Sequence, residues 1–521
     1  LPKRLFYNLF ATDGFIDLPT DPTGTLPRKH LYVWGFVGGL FKNQPINDAG
    51  TPVGPTTIVN PQFDTTVSGN LDVLRGMAIT PSPRIDMDMG DELYITLINL
   101  GMNIAMIPDV HTIHIHGGHV ATQLDGVPET SWGVPVTPPG HPGIKITYYF
   151  KPEQPGTYFY HCHQEASEHV QMGMYGSLIV YPSMKTLAEA GITKNACSGL
   201  WYQNGKLLPE IPVTATNRNF AYNDVHTFFD SDWVLLLSDI DSKWHDAVLT
   251  GADFNPVDFK PDYWLVNGRA FPDTLLPTTL PRALEPNFGY SIPAGYETYV
   301  MVSTGKTSRQ HSSRKRPDKF LFRLANLGYQ PVPFHVHGWH GLIVGKDTHP
   351  RVADMSNPAH EMNFTTLVGS GESYDVLFSA DDKRALYADY IFCGKAGFPS
   401  LKQQVANATA QSKAVETFIP PFPGSTDLWA NIILQTSLGQ GAFIPPYDWV
   451  PWNYGSDRAD NFFFPQFYIA HNHDDYKVTN NGVYPGGQLI FIETDFPGSN
   501  YKADPPKITE PPHRCPPMQI P

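Results

Sequence analysis

The sequence predicts an all-β protein with two similarly built domains, and three observations predict it. The chain holds 50 Pro and 44 Gly among 521 residues, with 13% aromatics, and few long amphipathic runs, a composition of short strands and many turns. Segments of alternating polarity recur between those turns. The third observation is an internal repeat. HTIHIHGGH at 111–119 has a counterpart in PFHVHGWH at 333–340, and YFYHCHQ at 158–164 has one in YIAHNHD at 468–474.

Taken in order, residues 1–30 read as an irregular N-terminal arm. Residues 31–183 make a first domain, with strands expected at Leu93–Asn99, Thr112–His116, Lys145–Phe150, Gly156–His161 and Gly176–Tyr181. Residues 184–228 read as a connector. A second domain over 229–500 begins with WVLLLSDI from Trp233. It continues through Tyr263–Val266, Tyr299–Val302, Phe320–Ala325, Pro333–His337, Tyr374–Phe378 and Gln488–Glu493. The paired motifs lie 47 residues apart in the first half (His114 to His161) but 136 apart in the second (His335 to His471). That surplus predicts an insertion at about 393–464, and such an excursion within a domain serves a site or an interface. The basic run Lys306–Lys319 reads as a solvated hairpin tip. The tail over 501–521 carries seven prolines, so it cannot be a regular strand and is expected to wrap the surface.

The balance of 36 basic against 50 acidic residues, net −14, argues against a nucleic-acid partner. No run of 18 apolar residues exists, so no helical membrane span is expected. The opening Leu1 suggests processing, and an extracytoplasmic (periplasmic or secreted) location is expected. Four cysteines are present. With Cys162 given to a metal, Cys197, Cys393 and Cys515 allow one disulfide and leave one thiol over.

The chemistry sits in four His-x-His pairs: His114/His116, His161/His163, His335/His337 and His471/His473, with Cys162 inside the second pair. On a strand, residues two apart share a face and their middle neighbour takes the other. Each pair therefore offers two imidazoles on one surface, and eight such side chains suffice for a metal cluster at an interface between domains. Cys162 points the opposite way. So does His111, three residues before His114. His169 and Met174 follow in HCHQEASEHVQMGM. His111, Cys162, His169 and Met174 form the His2Cys-plus-thioether set of a blue electron-transfer copper, with Met172 as the competing axial ligand. Asn472 stands where Cys162 does in the repeat, Val332 where His111 does, and no Met follows His473 within a dozen residues. The second domain thus keeps only its two His pairs. Zinc also takes imidazole, but uses about four ligands and leaves His-Cys-His unexplained.

HTIHIHG, HCHQEASEHVQMGM, PFHVHGWH and HNH resemble the copper-ligand signatures of the multicopper oxidases, the laccase-like cupredoxin family, over roughly residues 30–495. The resemblance implies two cupredoxin-like Greek-key domains and four coppers per chain. One is a type 1 copper on His111, Cys162, His169 and Met174. The others form a trinuclear cluster on His114, His116, His161, His163, His335, His337, His471 and His473, in which motif order gives His114 and His335 to type 2 and the rest to type 3. It further implies that electrons from a phenol, an aromatic amine, or Mn(II), Fe(II) or Cu(I) enter at type 1 and pass through Cys162 to reduce O2 to water. Glu168 resembles a position where some members carry an acidic proton donor, and Asp125, in the polar loop after His119, is the second candidate. Gly117 and Gly118 let the backbone come close to the metals.

The chain departs from the common family pattern in a type 1 loop two residues longer, in type 1 lying in the N-terminal domain, and in HNH preceded by a long insertion. An N-terminal type 1 site is similar to the two-domain branch, whose halves meet head to tail between chains. Such a contact closes into a ring, so a homotrimer is expected, with a monomer as the alternative. Two other functions compete: a copper nitrite reductase, a family with Asp at the place of His114 and no histidine at that of His163, and a non-enzymatic copper-resistance protein, which favours Met/His clusters. Met102 and Met106 lie upstream of His111, but no Met-rich segment exists.

Overall fold

The computed structural model describes residues 1–22, 26–276, 295–303, 316–354, 356–381 and 466–494, with scattered positions between 383 and 407. The insertion expected at 393–464, the basic run 306–319 and the tail 501–521 lie wholly or largely outside these residues.

The regular secondary structure of the described chain is mostly strand, in two sandwiches of the same order. In the first, one sheet runs Thr57–Ile58, Lys29–Pro45, Lys3–Leu18, Glu92–Asn99, Lys145–Phe150, and the other Ile85–Asp88, Tyr175–Tyr181, Gly156–His161, His114–His116. In the second, Tyr263–Val266, Ser231–Ile240, Lys319–Asn326 and Ser373–Ser379 repeat the first order. Val300–Val302, Leu489–Thr494, Gln466–Asn472 and Val332–Val336 repeat the second. The long first strand pairs parallel with Glu92–Asn99, Ala11 beside Asn99. Its counterpart pairs parallel with Lys319–Asn326, Leu237 beside Asn326. Even the turn is repeated: the Asn99 side chain donates to Asp109 O and Val134 O and accepts from Gly101 N. Asn326 does the same with Gln330 O, Val368 O and Gly328 N.

Two expectations change. Residues 1–30 are no irregular arm: Lys3–Leu18 is a sixteen-residue strand between two others, with Leu9, Phe10, Ala11 and Leu18 fully buried. Its alternation is masked because both faces are covered, which removes the period-two signal. The 184–228 connector is a small folded unit, with a helix at Met184–Glu189, a three-stranded sheet, and a core of Leu187, Ile192, Trp201, Ile211, Phe220 and Phe228.

The domains pack through sheet faces. Phe159, Tyr175 and Ile179 of the first share a core with Leu236, Leu321 and Leu342 of the second. A buried polar network crosses the same boundary: the Thr157 hydroxyl donates to Asp375 Oδ1 at 2.6 Å, and Tyr222 donates to Asp375 Oδ2 at 2.7 Å. Cys393 is disulfide-bonded, and Cys162 and Cys197 are free.

Candidate metal centre

The strand Gly156–His161 delivers Cys162 to the interior and its two histidine neighbours to the surface. Cys162, His111 and His169 are all fully buried. His111 enters from the bridge it makes with Val134, and His169 from the helix Ala166–Met172. The Cys162 sulfur lies 3.2 Å from His169 Nδ1 and 3.8 Å from His111 Nδ1, and the two Nδ1 atoms are 3.3 Å apart. A point equidistant from all three donors is about 2.0 Å from each, a transition-metal bond length to imidazole. The donors thus fit a trigonal copper site.

The surroundings fix the donors. His169 Nε2 donates to Asp109 Oδ2 at 3.2 Å, which leaves Nδ1 facing the sulfur. The Thr112 amide donates to the Cys162 sulfur at 3.4 Å. Burial alone would raise the Cys162 thiol, but His169 and His111 outweigh it and lower the thiol to about 5, the thiolate form a metal requires. Met172 and Met174 are both fully buried in the same core. They differ in backbone ties: Met174 O accepts from Cys162 N at 3.0 Å, and Met174 N donates to His169 O at 3.1 Å. Gly173, at φ 115°, makes the turn that returns the chain from helix to strand there.

Behind Cys162, on the other sheet face, stands the first quartet. His114 pairs with His161 across the ladder. Ring centroids separate by 5.1 Å (His114–His161), 5.3 Å (His114–His163) and 5.6 Å (His161–His163). His116 lies flat on Phe159 at 4.4 Å. His114 Nδ1 donates to Asp125 O at 2.8 Å, with Asp125 Oδ1 at 3.1 Å, and His161 Nδ1 donates to Cys162 O at 2.9 Å. Both keep Nε2 free for a metal. Burial, followed by the neighbouring histidines, lowers His116 to about 4. Burial also lowers His161, to about 3. Such imidazoles are neutral near pH 7, as ligation needs.

The second quartet repeats the first. His335 pairs with His471, His337 Nε2 sits 3.2 Å from His471 Nε2, and His335 Nδ1 donates to Phe364 O at 2.8 Å. His337 and His473 are exposed. Among the described residues no ring contact joins a histidine of one quartet to one of the other.

Of the two carboxylates singled out in the sequence, Asp125 touches His114. Glu168 does not reach a quartet histidine. Its Oε2 accepts from Trp244 Nε1 of the second domain at 3.1 Å. Sequence reasoning missed Asp109 and Thr112, although both flank His111 closely enough to be found by asking what orients that histidine's partners. Gly117 takes φ 89°, and a Cβ on it would press on Tyr158 at 3.3 Å, so close packing on a tyrosine ring accounts for it. Gly118 packs under Ile115 and Phe150.

A buried His2Cys set backed by a histidine quartet is a donor arrangement that suits copper. Residues 75–185 match the family model described as multicopper oxidase. The chain is similar to multicopper oxidase MCE of Talaromyces pinophilus, 35% identical over 104 residues, 20% of this chain and 15% of that protein. It is also similar to copper resistance protein A of Pseudomonas syringae pv. tomato, 29% identical over 164 residues, 29% of this chain and 24% of that protein. Laccase 1 of Metarhizium robertsii is 30% identical over 156 residues, 29% of this chain and 21% of that protein. The matches therefore span 24% or less of these relatives' own length. A blue copper oxidase from Nitrosomonas europaea aligns over 94% of this chain and 85% of its own, at 20% identity and a TM-score of 0.47.

Proposed function

We propose that the chain is an O2-reducing multicopper oxidase. His111, Cys162 and His169, with the Met174 thioether, would hold a type 1 copper. The two histidine quartets together hold a trinuclear cluster. The observation that carries this reading is covalent adjacency: Cys162 belongs to one donor set while its chain neighbours His161 and His163 belong to the other. When bound, copper supplies one-electron chemistry at the cysteine site and O2 reduction to water at the cluster.

The chain's own residues do the rest. Asp109 holds the His169 ring so that Nδ1 faces the sulfur. The Thr112 amide shares the thiolate's charge. Asp125 orients His114 and is one candidate to pass protons to the cluster. Glu168, held by Trp244, is the second candidate for that role. The donor is a phenol, an aromatic amine, or Mn(II), Fe(II) or Cu(I). We read residues 31–183 and 229–500 as the two cupredoxin-like domains.

The second quartet exposes His337 and His473, and Phe364 and Leu367, 58% and 60% exposed beside it, offer apolar area to a neighbour. These features support completion of the cluster between chains in a homotrimer. Among the described residues no helix is long and apolar enough to cross a membrane, and an extracytoplasmic setting suits the copper chemistry. Copper analysis with oxygen uptake across these five donors tests the proposal. One copper for the cysteine site and three for the quartets, with uptake on at least one donor, is the expected result. Two coppers per chain without uptake sinks it in favour of a nitrite reductase.

A further inference from the structure

The histidines beside the Cys162 sulfur lead into an aromatic pair that copper ligation does not require. Trp34 is fully buried, and its ring meets the His169 ring edge-on at 5.0 Å and the His111 ring at 6.1 Å. Its indole N–H makes no hydrogen bond. Two residues earlier on the same strand, and so on the same face, Tyr32 is also fully buried and donates its hydroxyl to Asp13 Oδ2 at 2.9 Å. Asp13 takes one further bond on that oxygen, from Ile104 N, while its Oδ1 is buried without a partner. Beyond Tyr32 the ring of Phe15 follows at 5.6 Å, and Phe15 stacks on the exposed His30 at 4.1 Å. Ring contacts thus join His169 to Trp34, and Tyr32 through Phe15 to the exposed His30, with Trp34 and Tyr32 two residues apart on one strand face between them.

The repeat supplies a control within the molecule. Asp13 lies opposite Trp34 across its ladder, and Asp239 lies opposite Trp264 in the second domain. There the tryptophan N–H donates to Gln330 Oε1 at 3.1 Å, and the Asp239 carboxylate is occupied by the amides of Tyr329 and Gln330. Continuing that ladder one step past Ile240 and Tyr263 puts Asp262 where the first domain has Tyr32. The domain without a cysteine site therefore lacks the tyrosine and has no acceptor oxygen free for a phenolic proton.

We propose that Tyr32 is a redox-active side chain, with Trp34 as its electron link to His169 and Asp13 as its proton acceptor. This rests on the reading of the Cys162 site as a type 1 copper. The step balances within the named groups. The Tyr32 O–H bond breaks, its proton passes to the Asp13 carboxylate, and one electron moves through Trp34 and His169. What is reduced is a type 1 copper(II) whose own electron has been drawn off by O2 at the cluster, and what is oxidised is the phenol, to a neutral radical. Such a reserve electron serves when O2 is reduced while donor is scarce.

The test reacts copper-loaded protein, reduced with fewer electrons than O2 needs, with O2, and reads freeze-quenched samples by electron paramagnetic resonance. Wild type is expected to give a tyrosyl signal. Tyr32→Phe abolishes it and shifts the radical to tryptophan. Trp34→Phe reduces the tyrosyl yield at least several-fold. Asp13→Asn also lowers it, and does so without a shift to tryptophan when Tyr32 is present. The type 1 copper spectrum, read on the same samples, reports folding and loading. Equal tyrosyl yield in wild type and Tyr32→Phe, with that copper spectrum intact, overturns the proposal. Absence of the type 1 spectrum from wild type itself instead overturns the underlying copper reading.

Discussion

His114, His161 and His163 in the first domain, and His335, His471 and His473 in the second, stand in nearly one geometry. Ring separations of 5.1, 5.3 and 5.6 Å in the first correspond to 5.7, 5.1 and 5.5 Å in the second. His161 Nδ1 donates to the carbonyl of the next residue at 2.9 Å, and so does His471. Behind these frames the domains part. Where Cys162 N donates to Met174 O, Asn472 N donates to Gln488 O; where Met174 N donates to His169 O, Gln488 N donates to Lys477 O. Asn472, Gln488 and Lys477 thus occupy the backbone stations of Cys162, Met174 and His169, with Val332 at that of His111. Their side chains bond one another and nearby carbonyls: Asn472 donates to Gln488 Oε1, Gln488 to Ser238 O and Leu265 O, and Lys477 to Pro331 O. A two-strand ladder is enough to set the imidazole frame. The buried pocket behind it is a separate choice between a His2Cys donor set and a hydrogen-bonded plug.

That comparison can be broken in several ways, the strongest first. Cys162→Ser is expected to abolish blue absorption and donor oxidation while the quartets still load copper. Asn472→Ser, at the matching station, is expected to leave the absorption unchanged; intense blue colour surviving Cys162→Ser would remove the cysteine from the site. His471→Ala separates the frames functionally: the blue centre persists while oxygen uptake stops, and normal uptake by that variant excludes His471 from the cluster. Asp109→Asn weakens the orientation of His169, with a loss of about 10–100-fold in copper affinity or donor oxidation, as for other outer-shell partners of a metal-bound histidine. A titration matching wild type argues that Asp109 does not orient that ring.

The plug is tested through stability. Lys477→Met leaves the Pro331 carbonyl and Asp474 without their ammonium partner. It is expected to cost about 1–3 kcal/mol, read from denaturant midpoints, with an unchanged copper spectrum. The smallest effect expected is one of pH. His245, buried at the domain boundary, is lowered to about 4 by burial, against which its bonds to Tyr32 and Gln171 act. A histidine with a depressed folded pKa binds fewer protons folded than unfolded, so its contribution is complete above its unfolded value near 6.5 and fades as pH falls towards 4. The melting temperature of His245→Gln is therefore expected to depend less on pH than that of wild type between pH 6.5 and 4; parallel curves would refute this.

Much of this was legible in the chain. Strand periodicity put the His pairs on one face and Cys162 with His111 on the other, because side-chain direction alternates whatever the rest of the fold does. The exchange of Cys162 for Asn472 and His111 for Val332 marked the second domain as without the cysteine and histidine donors of the first. Other features were not legible. Lys3–Leu18 has no alternation, since it is covered on both faces. Gln488 lies too far past His473 for motif alignment to pair it with Met174. Asp125 and Glu168 had equal standing by position, and only the fold turned one to His114 and the other to Trp244.

By itself the sequence determined which donor atoms exist and on which strand face each lies, for those follow from residue type and a two-residue period. Tertiary structure alone decided which donors come within bonding distance, which carboxylate serves which histidine, and that Tyr32, Trp34 and Asp13 line up behind His169. Those contacts arise from strands paired across tens to hundreds of residues, where local pattern carries no information about register.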